Sequence, residues 1–202
     1  MEKKERIDDI LNREWAMFQR VQNVGGKADC QEDEASFRIM RGAQFEAWND
    51  AMLASYQHDL AEAEENGHNL LSEKYGYMME FTHPKEYQRI SMMLPQVSAE
   101  KETLIREILA IEIPQTAKFR EMYPHLGKRG RPLTATENSV ETSVETYSRG
   151  ELSTYSVETL REYLRYLQKL EQSHILFPLL VMKATVRACG YLSLDAAERA
   201  SR

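Results

Sequence analysis

The amino-acid sequence predicts an all-α fold, a single-domain bundle of about seven to nine helices with one long loop near residues 124–139. Apolar side chains recur at three- and four-residue steps along most of the chain, which is the period of an amphipathic helix. The 9 glycines and 6 prolines are too few for the frequent turns of a β-sandwich or barrel. A chain of 202 residues can bury one sizeable core, so we expect one α-helical domain over residues 1–202.

The helical periods and their stop signals divide the chain into successive elements. The glycine pair 25–26 should end the first helix, and Pro114 should kink or break the fifth. The last long helix is apolar on nearly every side, so we expect it to be central. Helices are predicted over residues 3–22, 33–65, 70–81, 84–94, 98–122, 140–153, 157–171 and 175–190, with a short last turn after Ser193.

Composition and charge narrow the classes of function. The opening residues lack the apolar stretch of a signal peptide, and the apolar run at residues 175–182 is far short of the ~20 residues that span a bilayer. We therefore expect a cytoplasmic protein without membrane association. The first 66 residues carry 15 acidic and 8 basic side chains, which argues against non-specific nucleic-acid binding.

Polar side chains interrupt the apolar stripes of three predicted helices. Glu14 lies between Leu11 and Phe18, Arg41 shares the stripe of the long second helix, and Lys74 flanks an apolar face. A buried charge is costly unless it is paired, so these side chains could converge into one polar pocket between helices. The alternative is that each forms a separate structural pair or extends its charged end to water.

The segment 142–155 is unusually rich in hydroxyl and charged side chains. On a helix, Glu141, Glu145 and Arg149 share one face at four-residue spacing, and so do Tyr147, Glu151 and Tyr155. An Arg fork suits a phosphate or carboxylate ligand, and carboxylates suit acid–base chemistry. The alternative is a solvated helix that is stabilised by pairs of residues four apart.

Three blocks of this sequence resemble the bacterial family catalogued as domain of unknown function 4125. They are residues 14–31 (EWAMFQRVQNVGGKADCQ, continuing to 37–41), 69–75 (NLLSEKY, followed by Met78 and Met79) and 142–156 (TSVETYSRGELSTYS). The resemblance spans nearly the whole chain and implies a bacterial protein. The family is named as one of unknown function, so the resemblance implies no activity and no catalytic residue. Because the blocks coincide with the polar stretches, the resemblance favours a shared polar pocket.

The function predicted from the sequence is binding of a small anionic ligand in a polar pocket between helices, and the sequence leaves open whether the protein is an enzyme. The loop at 124–139 could close the pocket as a lid. The histidines show no metal-ligand spacing, so no metal site is predicted and any cofactor stays unknown. The candidate ligand-binding residues are Glu14, Asn23, Arg41, Lys74, Glu145, Tyr147, Arg149 and Glu151.

Two alternatives of a different class remain. The chain could be a non-enzymatic helical interaction module that binds a protein partner through its acidic first helices or through the 124–139 loop; an exposed apolar patch would support this. Arg120 and His125 also match the Arg-x4-His spacing of the helical ribonucleases known as HEPN proteins. That resemblance is short, and Pro124 disturbs the helix end on which the motif depends.

Overall fold

The computed structural model describes residues 2–22, 26–135 and 142–202, and the described residues form helices and connecting turns without a β-strand. Short 3-10 turns occupy Asp29–Gln31 and Ser91–Met93. The α-helices are α1 (Lys3–Gln19), α2 (Glu34–Ala47), α3 (Asp50–Glu65), α4 (Leu70–Thr82), α5 (Pro84–Ile90), α6 (Ala99–Met122), α7 (Pro124–Gly127), α8 (Val144–Thr154), α9 (Val157–Gln172), α10 (Phe177–Ala188) and α11 (Leu194–Ala200).

The all-α class is confirmed, but the predicted number of helices is wrong, since the described residues contain eleven. The long helix expected over 33–65 divides at Trp48, whose backbone is extended. Asn49 then caps α3 by accepting a 2.8 Å hydrogen bond from the Met52 amide. The apolar spacing continues across this break, so periodicity alone hides the cap. The second extra helix is α7, which occupies the first four residues of the predicted loop.

The predicted break at Pro114 does not occur, because α6 runs without interruption through the proline. Proline removes the hydrogen bond to the carbonyl four residues earlier. That carbonyl belongs to Ala110, and both Ala110 and Pro114 lie on the exposed side of the helix. Water can therefore satisfy the carbonyl, and α6 keeps its inward face continuous.

The main core is aromatic and joins most of the helices. Trp48, Tyr56 and Tyr155 are among its largest fully buried side chains, and their rings contact one another at centroid distances of 4.8–5.9 Å. A smaller cluster of Val186, Leu194 and Ala197 lies where α11 meets α10. The described part of the chain contains no helix that is long and apolar enough to cross a membrane.

The expectation that the last long helix is central is wrong. Only Phe177, Ala184 and Val186 of α10 are buried, and the run 179–182 is only partly buried. One face of α10 packs on α2 and α6, and α11 covers part of its end. Because α10 contacts α2, α6 and α11 on different sides, it is apolar around most of its circumference although it lies at the margin of the bundle.

The helices α4 and α8 approach each other closely at Gly150. A Cβ atom placed on Gly150 would lie 2.5 Å from Met78 Cγ and 2.9 Å from the Lys74 carbonyl oxygen. Only glycine therefore fits at this crossing without movement of one helix. The approach brings the side chain of Lys74 against that of Glu151.

Candidate functional site

A chain of buried ionic contacts links four helices at the centre of the bundle. Arg41 on α2 forms a bidentate pair with Glu14 on α1, with 2.8 Å between Nε and Oε2. Its Nη1 also donates to Glu151 Oε1 on α8 at 2.8 Å. The Nζ of Lys74 on α4 donates to Glu151 Oε2 at 2.6 Å. All four side chains are buried, with exposed fractions between 0% and 8%.

Uncharged side chains complete the hydrogen bonds of this network. Tyr56 donates to Glu14 Oε1 and Tyr155 donates to Glu151 Oε1, each at 2.7 Å. Gln44 accepts from Arg41 at 2.7 Å and donates to Glu151 at 3.3 Å. The seven residues Glu14, Arg41, Gln44, Tyr56, Lys74, Glu151 and Tyr155 are called the polar network below.

Attraction between opposite charges outweighs burial in this network. Burial alone would lower the pKa of Arg41, but Glu14 and Glu151 raise that pKa well above its ordinary value. Burial alone would raise the pKa of Glu151, but Arg41 and Lys74 hold it well below its ordinary value. Burial also opposes the charge of Lys74, whose pKa is nevertheless raised by Glu151. Two cations thus face two carboxyl groups, and each cation is already paired.

A cavity of about 280 Å³ lies beside the polar network, between α6, α8, α9 and α10. It contacts Glu151, Gln44 and Tyr155 of the network, and it is partly open to solvent. We call this cavity the α8 pocket. Its other lining residues are Glu112, Thr116, Phe119, Arg120, Leu126, Gly127, Gly130, Val144, Tyr147, Ser148, Leu152, Tyr163, Phe177, Pro178, Val181 and Met182.

Two larger clefts, of about 480 and 790 Å³, also occur among the described residues. Neither is lined by Glu14, Arg41, Lys74 or Glu151. Size alone therefore does not select the site. A further cavity of about 260 Å³ is lined by Asp59 and Tyr155, but the α8 pocket has the more extensive aromatic and aliphatic wall and contacts three residues of the polar network.

Glu112 on α6 is the second carboxyl group of the α8 pocket, and its surroundings differ from those of Glu151. Its hydrogen-bond partner is the phenol of Tyr163, and no ion pair to Glu112 occurs in the described part of the chain. Burial raises the pKa of Glu112 from 4.5 to about 7; the hydrogen bond from Tyr163 opposes this rise, and Glu151 adds to it. The Glu112 carboxyl can therefore exchange a proton near neutral pH.

The structure brings together Glu14, Arg41, Lys74 and Glu151 from the sequence-predicted set, although their role in binding a ligand stays a prediction. Tyr147 lines the pocket, with its ring centroid 3.7 Å from Lys74 Nζ and 4.9 Å from Arg131 Cζ. Asn23 and Glu141 lie outside the described residues.

Glu145 and Arg149 are not part of the α8 pocket. They pair with each other across one helical turn at 3.5 Å, and each side chain is about one third exposed (39% and 33%). Arg149 instead lines the 480 Å³ cleft. This pair matches the alternative of a solvated helix face.

The loop after α7 covers one side of the α8 pocket. The carbonyls of Pro132 and Leu133 accept hydrogen bonds from the first turn of α8 at 2.7 and 3.0 Å. The guanidinium of Arg120 donates to the Arg131 carbonyl, and the arginine stem packs on Gly127, where a Cβ atom would lie 2.7 Å from Arg120 Cγ. Residues 136–139 of the predicted loop lie outside the described residues.

A family model for proteins of unknown function (DUF4125) matches residues 4–199 of the chain. The chain belongs to this family. No curated protein and no solved structure matches it. The family assignment confirms the resemblance seen in the sequence. The description of this DUF4125 family gives no function, so the site of the chain is inferred from its geometry.

Sequence reasoning missed Glu112 as a site residue of this DUF4125 chain, although a signal for it was present. Ile105, Ile108, Glu112, Gln115 and Phe119 follow one another at helical spacing and form the inward face of α6. The expected break at Pro114 hid the continuity of this stripe. Across residues 2–22, 26–135 and 142–202, no cluster of histidine, cysteine and acidic side chains could hold a metal ion.

Proposed function

We propose that this chain is a cytoplasmic bacterial protein, folded as one domain over residues 1–202, that binds a small molecule in the α8 pocket. The observation that carries the proposal is the joint presence of two carboxyl groups, Glu112 and Glu151, in one 280 Å³ cavity. The cavity has an aromatic and aliphatic wall that includes Phe119, Phe177 and Val181. A small apolar cavity with a few converging polar groups is the usual form of a ligand site.

The polar network gives this pocket a rigid floor. Glu151 is held by Arg41, Lys74 and Tyr155 at 2.6–2.8 Å, so its position changes little when a ligand enters. A group that is fixed before binding costs no ordering entropy on binding. The loop from 128 to 135 would act as the lid: Gly130 lines the pocket, and the carbonyls of Pro132 and Leu133 hold the loop against the first turn of α8.

The preference for an anionic ligand expected from the sequence has no support in the site. Arg41 and Lys74, which were expected to hold an anion, are already paired with Glu14 and Glu151, and neither lines the α8 pocket. The pocket itself presents the two carboxyl groups, and Arg120 lies two helical turns from Glu112 on α6. An uncharged or cationic molecule therefore suits the interior better than an anion.

Enzymatic activity is compatible with the pocket but needs a proton acceptor or donor in contact with the ligand. Glu112 is the candidate, because a carboxyl group with a pKa of about 7 can take or give a proton near neutral pH. Glu151 would stay ionised beside it, since its pKa is held low by Arg41 and Lys74. We leave the reaction unassigned.

A fragment screen with a matched pair of variants tests the proposal. A library of small apolar and amphiphilic molecules is screened by thermal shift, because a ligand that binds only the folded chain raises the melting temperature. Val181→Trp fills the α8 pocket and should abolish the shifts. Leu192→Trp, at a side chain that is 100% exposed, should retain them. Equal shifts in both variants would place binding elsewhere and refute the proposal.

A protein-interaction module is the second candidate, and it is favoured by the exposed methionines of the 91–93 turn. Met92 and Met93 are 89% and 75% exposed, and exposed flexible apolar side chains are common at protein-binding surfaces. A photo-crosslinking residue at position 92 should form one defined adduct in cells, whereas the same residue at position 192 should form none. No adduct at position 92 would exclude the 91–93 turn as the binding surface, and the surfaces predicted from the sequence, the acidic first helices and the 124–139 loop, would then be tested in the same way.

The ribonuclease alternative is the least supported. Arg120 donates its hydrogen bond to the Arg131 carbonyl, and the backbone amide of His125 donates to Glu198 at 2.8 Å. His125 does not line the α8 pocket. RNA turnover that is lost in Arg120→Ala would restore this alternative, and unchanged turnover would dismiss it.

A further inference from the structure

Of the two carboxyl groups that line the α8 pocket, Glu151 is paired with cations and Glu112 is not paired with any cation of the described chain. This difference indicates the kind of ligand that the pocket would bind. The two carboxyl groups of the polar network, Glu14 and Glu151, are paired with Arg41 and Lys74. Among the described residues, the hydrogen bond to the Glu112 carboxyl group comes from the phenol of Tyr163 alone. A partly buried carboxylate without a positive partner is unfavourable, so a ligand that supplies a positive charge would relieve a cost that the folded chain bears.

The other ionisable groups around Glu112 do not replace such a partner. Across the pocket, α8 presents Glu151, which repels a second negative charge, and the phenols of Tyr147 and Tyr155. The residues that α10 contributes are Phe177, Pro178, Val181 and Met182, and none is charged. Among the described residues that line the pocket, the one cationic side chain is Arg120, and its guanidinium donates to the Arg131 carbonyl rather than to Glu112.

From this arrangement we infer that the α8 pocket recognises an organic ammonium group, which pairs with the Glu112 carboxylate while its apolar part packs against Phe119, Phe177 and Val181. The inference rests on the small-molecule binding proposed above and names the class of ligand. Aromatic rings favour such a group, because a cation is attracted to their electron-rich faces. An anionic ligand would meet two carboxyl groups in the same space.

Choline and its uncharged carbon isostere, 3,3-dimethylbutan-1-ol, separate recognition of charge from occupation of the pocket. The two probes have nearly the same shape and differ by one positive charge. Choline should bind more tightly to the unmodified chain, as measured by isothermal titration or ligand-observed NMR. Glu112→Gln should lower the affinity for choline by about tenfold and leave the affinity for the alcohol nearly unchanged. Glu107→Gln, an exposed position on the same helix, is the matched control and should change neither affinity.

The pH dependence gives a second readout, because choline carries a fixed charge and does not titrate. Its affinity should rise between pH 6 and pH 8 as Glu112, whose pKa is about 7, becomes ionised. The same series with Glu112→Gln should be flat. A rise that persists in Glu112→Gln would assign the titration to another group and overturn the inference.

The outcomes distinguish this inference from the proposed function. If the alcohol binds as tightly as choline, or if neither binds while fragments from the screen bind in a manner that Val181→Trp abolishes, the ammonium inference is wrong and the pocket still binds small molecules. If neither the probes nor any fragment binds, both proposals fail. Preferential binding of choline that depends on Glu112 supports both.

Discussion

Glu112 and Glu151 line the same pocket from different helices, but their surroundings drive their pKa values in opposite directions. Arg41 and Lys74 hold the pKa of Glu151 low, whereas burial without a cation raises that of Glu112 to about 7. Two carboxyl groups in one site that favour different protonation states form the pattern from which acid and base roles are usually assigned. The pair also makes the site sensitive to pH in a direction that can be tested.

Glu112→Gln should change how stability depends on pH. Between the ordinary value of 4.5 and the folded value of about 7, folded Glu112 holds a proton that the unfolded chain has released. The contribution of Glu112 to the free energy of unfolding therefore falls as pH rises through this range. The variant lacks this loss. The difference in free energy of unfolding between the variant and the unmodified chain should therefore shift in favour of the variant by up to about 3 kcal/mol from pH 5 to pH 8. Contact with water would reduce the gain.

Urea denaturation of the variant and of the unmodified chain at both pH values measures this difference. Glutamine keeps an oxygen that can accept from Tyr163, so the substitution changes charge more than shape. Glu107→Gln serves as the control and should leave the pH profile unaltered, because that side chain is exposed. A parallel profile for Glu112→Gln would mean that Glu112 titrates normally.

Arg41→Met should be among the most destabilising single substitutions in the chain. It removes the cation that both Glu14 and Glu151 contact and leaves the buried carboxyl group of Glu14 without a cation, at a cost of about 3–5 kcal/mol. The control is Arg149→Met, whose ion pair with Glu145 is partly exposed and long at 3.5 Å. That change should cost less than about 1 kcal/mol. Equilibrium unfolding in urea compares the two variants.

The double variant Glu14→Met/Arg41→Met should be more stable than Arg41→Met alone. It removes one carboxyl group together with one cation, so that Lys74 and Glu151 remain as a balanced pair. Breaking a buried pair is costly, whereas replacing both partners with apolar side chains often is not. A double-mutant cycle measures the coupling. Additive losses would contradict the view that charge balance is what stabilises the network.

Much of the fold was accessible from the sequence because helical periodicity is a local property. The ends of α4, α8 and α9 agree with the predicted segments to within a few residues, since caps such as Ser156 and Asn69 are visible in the sequence. The break at Asn49 was not predicted, because an apolar stripe that continues across a cap carries no sign of the change in direction. The effect of Pro114 depends on which side of α6 faces water, and that is decided by packing.

Polar side chains within apolar stripes were the informative sequence signal for the site. Such residues must find partners if they are buried, and Glu14, Arg41 and Lys74 find one another and Glu151. Which side chains pair depends on how the four helices meet. The sequence therefore could not indicate that both cations would form ion pairs within the network. The same rule, if applied through Pro114, would have selected Glu112.

Gly150 and Gly42 offer a matched test of which helix contact holds the site together. Both are interior helical glycines, in α2 and α8, and their surroundings differ. An added Cβ at Gly42 would lie 3.7 Å from Leu11 Cδ1, which is an ordinary contact, whereas one at Gly150 would lie 2.9 Å from the Lys74 carbonyl oxygen. Gly42→Ala should therefore stabilise the chain by up to about 1 kcal/mol, and Gly150→Ala should destabilise it by about 1–3 kcal/mol. Because α4 must move to admit the methyl group, Gly150→Ala should also lower the affinity of the α8 pocket for its ligands. Thermal unfolding and probe affinity measured on both variants check this, and equal stability of the two would show that the α4–α8 crossing is not closely packed.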